Sequence, residues 1–140
     1  MRGVSMLVRL AQHELEERRS DLGSISRARA ETEQAIDEHD EVVTSEAKIA
    51  MTDPASMALF SAWASQSARG RARLQDRFTE LDAGASAARD SLLDAAAQVR
   101  RLEIVVENVT AKAKRLSARQ ADAKADEHEL AHYTKMMSRR

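Results

Sequence analysis

The 140-residue chain has no cysteine, one proline, four glycines and 3% aromatic residues. Without cysteine there is neither a disulfide framework nor a thiolate metal site, which fits a reducing cytoplasm. Alanine accounts for 26 of the hydrophobic residues and leaves 34 larger apolar side chains, a thin supply for a globular core. Charge of one sign is also missing. Lys and Arg number 22 against 23 Asp and Glu, for a net charge of −1, so no basic excess marks a nucleic-acid binder. Long hydrophobic runs are lacking too: the longest uncharged stretch, Pro54–Ala68, is broken by several Ser and a Gln. A span needs about 20 mostly apolar residues, and the first residues lack the apolar run of a signal peptide. These features predict a soluble chain, in one domain, with no membrane insertion and no cofactor.

The chain is rich in Ala, Glu, Arg and Leu, the composition of long helices or a coiled coil. Thr52-Asp53-Pro54 reads as a helix start, with Asp53 as N-cap and Pro54 in the first helical position. One helix should close near Ala50, and Gly70 marks a second break, which leaves a short helix over about 54–67. Beyond it, heptad a positions are Phe78, Ala85, Leu92, Val99, Val106, Ala113, Gln120 and Glu127. The d positions are Leu74, Leu81, Ala88, Ala95, Leu102, Val109, Leu116, Ala123 and Leu130. Fifteen of these 17 are apolar, against about 7 expected by chance, which predicts a coiled-coil helix.

The N-terminal half carries a good a seam: Met1, Val8, Leu15, Leu22, Arg29, Ile36, Val43 and Ala50. Its d seam of Val4, Ala11, Arg18, Ile25, Thr32, His39 and Glu46 is leaky. The weaker helix therefore needs the stronger one, and a short connection favours antiparallel packing. The predicted fold is all-α: a long antiparallel two-helix coiled coil, a monomeric helical hairpin with a short helix near the turn. Its helices cover about 3–50 and 71–137, with turn and short helix at 51–70. Leu15, Leu22, Ile36, Leu92, Val99, Leu102, Val106, Val109 and Leu116 form the expected seam. Both termini should then share one tip, where Arg2, Met6 and Arg9 meet Lys135, Met136, Met137, Arg139 and Arg140. Seven acids and no Lys or Arg over residues 31–46, and six bases over 100–119, read as solvated faces that fix register.

Two motifs imitate chemistry. His128-Glu129-Leu130-Ala131-His132 has the H-E-x-x-H spacing of a zinc-protease helix. Only Tyr133–Arg140 follow, with no third ligand, and the heptad puts both histidines on the solvent side. Arg69, Arg71, Arg73 and Arg77 run into the Leu74 heptads as a basic region runs into a zipper. They are sparse, interrupted by Gly70, and lack an Asn in the base-reading position. Met57, Leu59, Phe60 and Trp63 concentrate bulky side chains near the turn. They read either as a plug for the turn or as a partner anchor, because aromatic residues are enriched at hot spots. No nucleophile triad, phosphate loop or converging carboxylate pair occurs, so no enzymatic activity is expected.

The whole pattern resembles the FliJ family of flagellar type III export. Asp53-Pro54-Ala55-Ser56-Met57-Ala58-Leu59-Phe60 is similar to that family's linker and short helix. Val99-Arg100-Arg101-Leu102-Glu103 resembles its basic–Leu–Glu stretch, and Ala125-Asp126-Glu127-His128-Glu129-Leu130 its terminal Asp-Glu signature. Where the family has an Arg- and Glu-rich run, this chain has Ala118-Arg119-Gln120-Ala121-Asp122-Ala123-Lys124. The resemblance implies a non-enzymatic stalk, similar in shape to the γ subunit of rotary ATPases, cytoplasmic and peripheral to the membrane at the flagellar basal body. It implies that the terminal tip (Arg2, Met6, Arg9, Lys135, Met136, Arg139, Arg140) enters a hexameric export ATPase and promotes its assembly. The turn end, with Val43, Ile49, Phe60 and Trp63, would approach the cytoplasmic domain of the export gate. Export chaperones are further implied partners. A stalk of virulence type III secretion and an unrelated coiled-coil scaffold are the alternatives.

Overall fold

A computed structural model describes residues 2–140. Two long helices, α1 (Arg2–Ala50) and α2 (Pro54–Met137), pack against each other as a helical hairpin, with no strand among the described residues. The turn follows from its residues. α1 tightens at its end, where the Thr52 N–H bonds the Ile49 carbonyl at 3.2 Å and the Thr52 hydroxyl donates to the same oxygen at 2.6 Å. Lys48 sits in that last turn, where a cation complements the exposed carbonyls. Asp53 then caps α2: its Oδ1 accepts from the Ala55 N–H at 3.4 Å and its Oδ2 from the Ser56 hydroxyl at 3.3 Å. Pro54 occupies the first helical position, where a missing N–H costs nothing.

The expected short helix is not separate. α2 runs unbroken through Gly70 to Met137, 84 residues against 49 for α1. Gly70 keeps helical geometry, since no residue described has a positive φ. An internal glycine costs about 1 kcal/mol, which the helical neighbours and the ion pair made by Arg71 offset.

Packing divides the described residues into two units, residues 13–96 and residues 2–12 with 97–140. In the first, the α1 residues withdrawn from solvent include Leu15, Leu22, Ile25, Thr32, Ile36, His39 and Val43, as the heptads require. At Glu46 the repeat slips: that residue is exposed and Ala47 turns inward, because a carboxylate gains nothing from the seam. On α2 the matching set is Leu74, Phe78, Leu81, Ala85, Ala88, Leu92 and Ala95. Ala85 is only 1% exposed, and a methyl added at Gly84 would lie 3.9 Å from Ile25 Cγ2, so the backbones approach closely here. Thr32 enters the seam by returning its hydroxyl to the Ala28 carbonyl at 2.8 Å. The core is thin: among the described residues the buried apolar ones are four alanines with Ile36 and Val99.

In the second unit, the residues withdrawn from solvent are Val4, Val8 and Ala11 on α1 and Val99, Leu102, Glu103 and Val106 on α2. The spacing of Val4, Val8 and Ala11 mirrors that of Val106, Leu102 and Val99, as antiparallel packing requires. Met1, the first a position of the repeat, lies outside the described residues. From Glu107 to Arg140 every residue is exposed. Two expectations fall here. Val109 and Leu116, assigned to the seam, are 37% and 53% exposed because α1 has ended before it can reach them. The termini do not share a tip either: Lys135 lies about 40 Å along α2 from the turn that faces the start of α1, at 1.5 Å per residue.

Candidate functional site

Two surfaces carry what the hairpin does not use. One is the bare part of α2, residues 107–137. Its heptad positions Val109, Ala113, Leu116, Ala123 and Leu130 continue the seam, with Leu130 68% exposed. Around them lie Tyr133, Met136 and Met137, also exposed. Charge is blocked along it. Lys112, Lys114, Arg115 and Arg119 stand without an acid among them, while residues 122–129 hold Asp122, Asp126, Glu127 and Glu129 against one Lys. Among the described residues none of these charges has an ion-pair partner. By contrast Arg100 is occupied by its own helix, at 3.7 Å from Glu103 and 3.5 Å from Glu107.

The other surface lies at the turn. Val42, Glu46 and Ile49 of α1 and Leu59, Phe60 and Trp63 of α2 line a groove of about 490 Å³. The Phe60 and Trp63 rings stack at 5.8 Å between centroids, tilted by 39°, so each holds the other's orientation. Ile49, Phe60 and Trp63 thus line one groove. Val43 does not join them: it is half-buried in the seam, and its neighbour Val42 takes the exposed position. The missed signal is the seven-residue spacing of Val42 and Ile49, which sets both on one flank of α1 beside the seam.

Of the expected terminal tip, Arg2, Met6 and Arg9 are exposed on the first turns of α1, and Lys135, Met136, Arg139 and Arg140 at the far end of α2. They form two separate surfaces. His128 and His132 line a shallow, open depression with Asp126, Glu129, Tyr133 and Met136. Among the described residues no group of three or more His, Cys, Asp or Glu is placed to hold a metal ion. The arginine run beside Gly70 is partly consumed by the hairpin, because Arg71 grips Asp40 through two bonds of 2.7 and 3.2 Å.

That clasp belongs to a larger contact. His39 Nε2 and the Ser67 hydroxyl are 2.7 Å apart, and His39 Nδ1 lies 3.7 Å from Asp40. The Arg71 guanidinium, by its hydrogen bond and its charge, holds the Asp40 carboxyl below its ordinary value, and Asp40 in turn raises Arg71. Further along the same unit, Arg29 bonds Asp82 at 3.1 Å and lies 5.3 Å over the Phe78 ring. The mid-chain charges therefore lock one helix to the other. No helix among the described residues is long and apolar enough to cross a membrane. Comparison with protein-family models, with curated proteins and with solved structures finds no match to this chain.

Proposed function

We propose that this protein is a non-enzymatic stalk of a flagellar type III export apparatus, acting at the cytoplasmic side of the basal body. The bare part of α2 is the partner-binding end. One observation carries this: residues 107–140 are wholly exposed, yet 107–137 keep the apolar heptads of a helix built to be covered. In a soluble helix such a face marks an interaction surface. The resemblance to the FliJ family supplies the partner, a hexameric export ATPase; the bare end of α2, with Lys135, Met136, Arg139 and Arg140, is the part of the implied tip that we assign to its pore. Methionine suits a changing surface because its side chain is flexible and polarizable. The turn groove around Trp63 then faces the cytoplasmic domain of the export gate, and export chaperones bind the exposed helix faces. The start of α1, with Arg2 and Arg9, lies too far back to share the pore.

The deciding experiment is co-purification with the export ATPase. The full chain should shift that ATPase toward hexamers, and a chain ending at Ala131 should bind it at least tenfold more weakly while keeping its helicity. Equal binding by the shortened chain would refute the placement of the pore contact. Failure of the full chain to bind would refute the stalk reading.

A further inference from the structure

The bare stretch of α2 carries its charges in an order that suits a second copy of itself. Reading along it, Glu103 and Glu107 are followed by a basic block, Lys112 to Arg119, then an acidic block, Asp122 to Glu129, then a basic end, Lys135 to Arg140. Laid parallel, each block would face its own kind. Glu127 would meet Glu127 in an a layer, and Arg119 would lie against Lys124 between neighbouring g and e positions. Laid antiparallel about Gln120 and Ala123, every block meets the opposite sign. Ala113 then packs on Leu130 and Val109 on Thr134. At the flanks, Arg119 of each copy reaches Asp126 of the other, so the pair occurs twice by symmetry. The basic end falls beside Glu107.

We infer that residues 107–137 of two copies pair antiparallel, giving a reversible dimer in which each chain covers the apolar face that the other's α1 is too short to cover. Val109, Leu116 and Leu130 are the apolar residues that would leave water, and all three are exposed in the single chain. The pairing is weak by construction. Alanine fills several layers, and Leu116 is met by Glu127, which covers it only with its aliphatic stem while the carboxylate stays in water. A weak dimer suits a surface that must be released to another partner. The same face cannot serve both, so self-pairing holds the stalk in reserve until its partner displaces the second copy. That reserve role rests on the stalk reading, whereas the dimer itself forms or fails without the ATPase.

Sedimentation equilibrium of the purified full chain tests it. A monomer–dimer equilibrium that weakens as salt rises is expected, since exposed ion pairs are screened. Arg119→Glu or Asp126→Arg should each weaken dimerisation about tenfold, because each converts two attractive pairs into repulsive ones. The combined variant should return to within about threefold of the unaltered chain, because the pair is rebuilt with its signs reversed. Chains bearing Ala113→Cys should form disulfides with chains bearing Leu130→Cys and not with themselves. A chain that stays monomeric up to about 0.5 mM would overturn the inference. So would a combined variant no better than either single one, or self-crosslinking of Ala113→Cys, which signals parallel pairing.

Discussion

α2 carries one heptad repeat through two different environments. Up to Val106 its a and d residues are withdrawn from solvent, and from Glu107 onward the same kinds of residue at the same spacing are exposed. Leu102 and Leu116 occupy d layers two heptads apart, and nothing in the local sequence separates them. The difference lies in the other helix, which has 49 residues to cover 84. A repeat states which face a helix would bury. Whether it is buried depends on how far a partner extends.

The sharpest way to test this contrast is to put a charge on each stretch. Ile36→Asp places an unpaired carboxylate in the buried seam and should cost at least about 3 kcal/mol, enough to melt a hairpin with so thin a core. Leu130→Asp, at a position open to water, should change the stability by less than about 0.5 kcal/mol in dilute solution, where the chain is monomeric. Circular dichroism on both variants decides the matter. Equal loss would mean that the bare stretch is covered within its own chain.

A milder pair compares the two leucines directly. Leu102→Ala should destabilise the hairpin by about 2 kcal/mol, the low end for a truncated core leucine because the site is only half-buried. Leu116→Ala should shift stability by less than about 0.5 kcal/mol in dilute solution. Urea melts give both numbers, and a large cost at Leu116 would reassign the end of the seam.

Much of the hairpin was legible in the residues. Asp53 and Pro54 placed the start of α2, and the a positions of α1 from Val8 to Val43 are all withdrawn from solvent. Even the polar d positions Thr32 and His39 sit where the repeat puts them, because each finds a hydrogen bond there: Thr32 to Ala28 and His39 to Ser67. Four expectations fail for physical reasons. Gly70 is no break, because a lone glycine costs a helix far less than its packing contributes. The termini do not share a tip, and Val109 and Leu116 stay outside the seam, because α1 has 49 residues and α2 has 84. Val43 is withdrawn from the surface, as its own heptad position requires. Of the candidate site, Leu59, Phe60 and Trp63 are legible as a concentration of bulky side chains, whereas Ile49 enters only through the family resemblance. The bare face of α2 is not legible, because its residues look the same whether covered or open.

Gly70 offers a gain instead of a loss. A methyl group built there meets nothing within 4 Å, and the backbone is helical. Gly70→Ala should therefore stabilise the hairpin by about 0.5–1 kcal/mol, through lower entropy of the unfolded chain. A rise in thermal midpoint checks this. A fall would show that α2 bends at this point in solution and that the glycine serves the bend.

The smallest effect belongs to the clasp between Asp40 and Arg71. Arg71 holds the Asp40 carboxyl below its ordinary value of 3.8, so the unfolded chain binds a proton more readily than the folded one. The contribution is then fully present above that ordinary value and disappears as pH falls through the lower folded value. Both side chains are partly exposed, 47% and 43%, so water and salt screen the pair and the change is modest. Asp40→Asn keeps the shape but removes the charge. The thermal midpoints of the two proteins should differ at pH 7 and converge as the solution is acidified below 3.8, with a smaller gap at pH 7 in 1 M salt than in dilute buffer. A gap that persists unchanged at low pH would mean that the carboxylate acts through packing against His39 and Ser67, and that charge plays no part in locking the helices there.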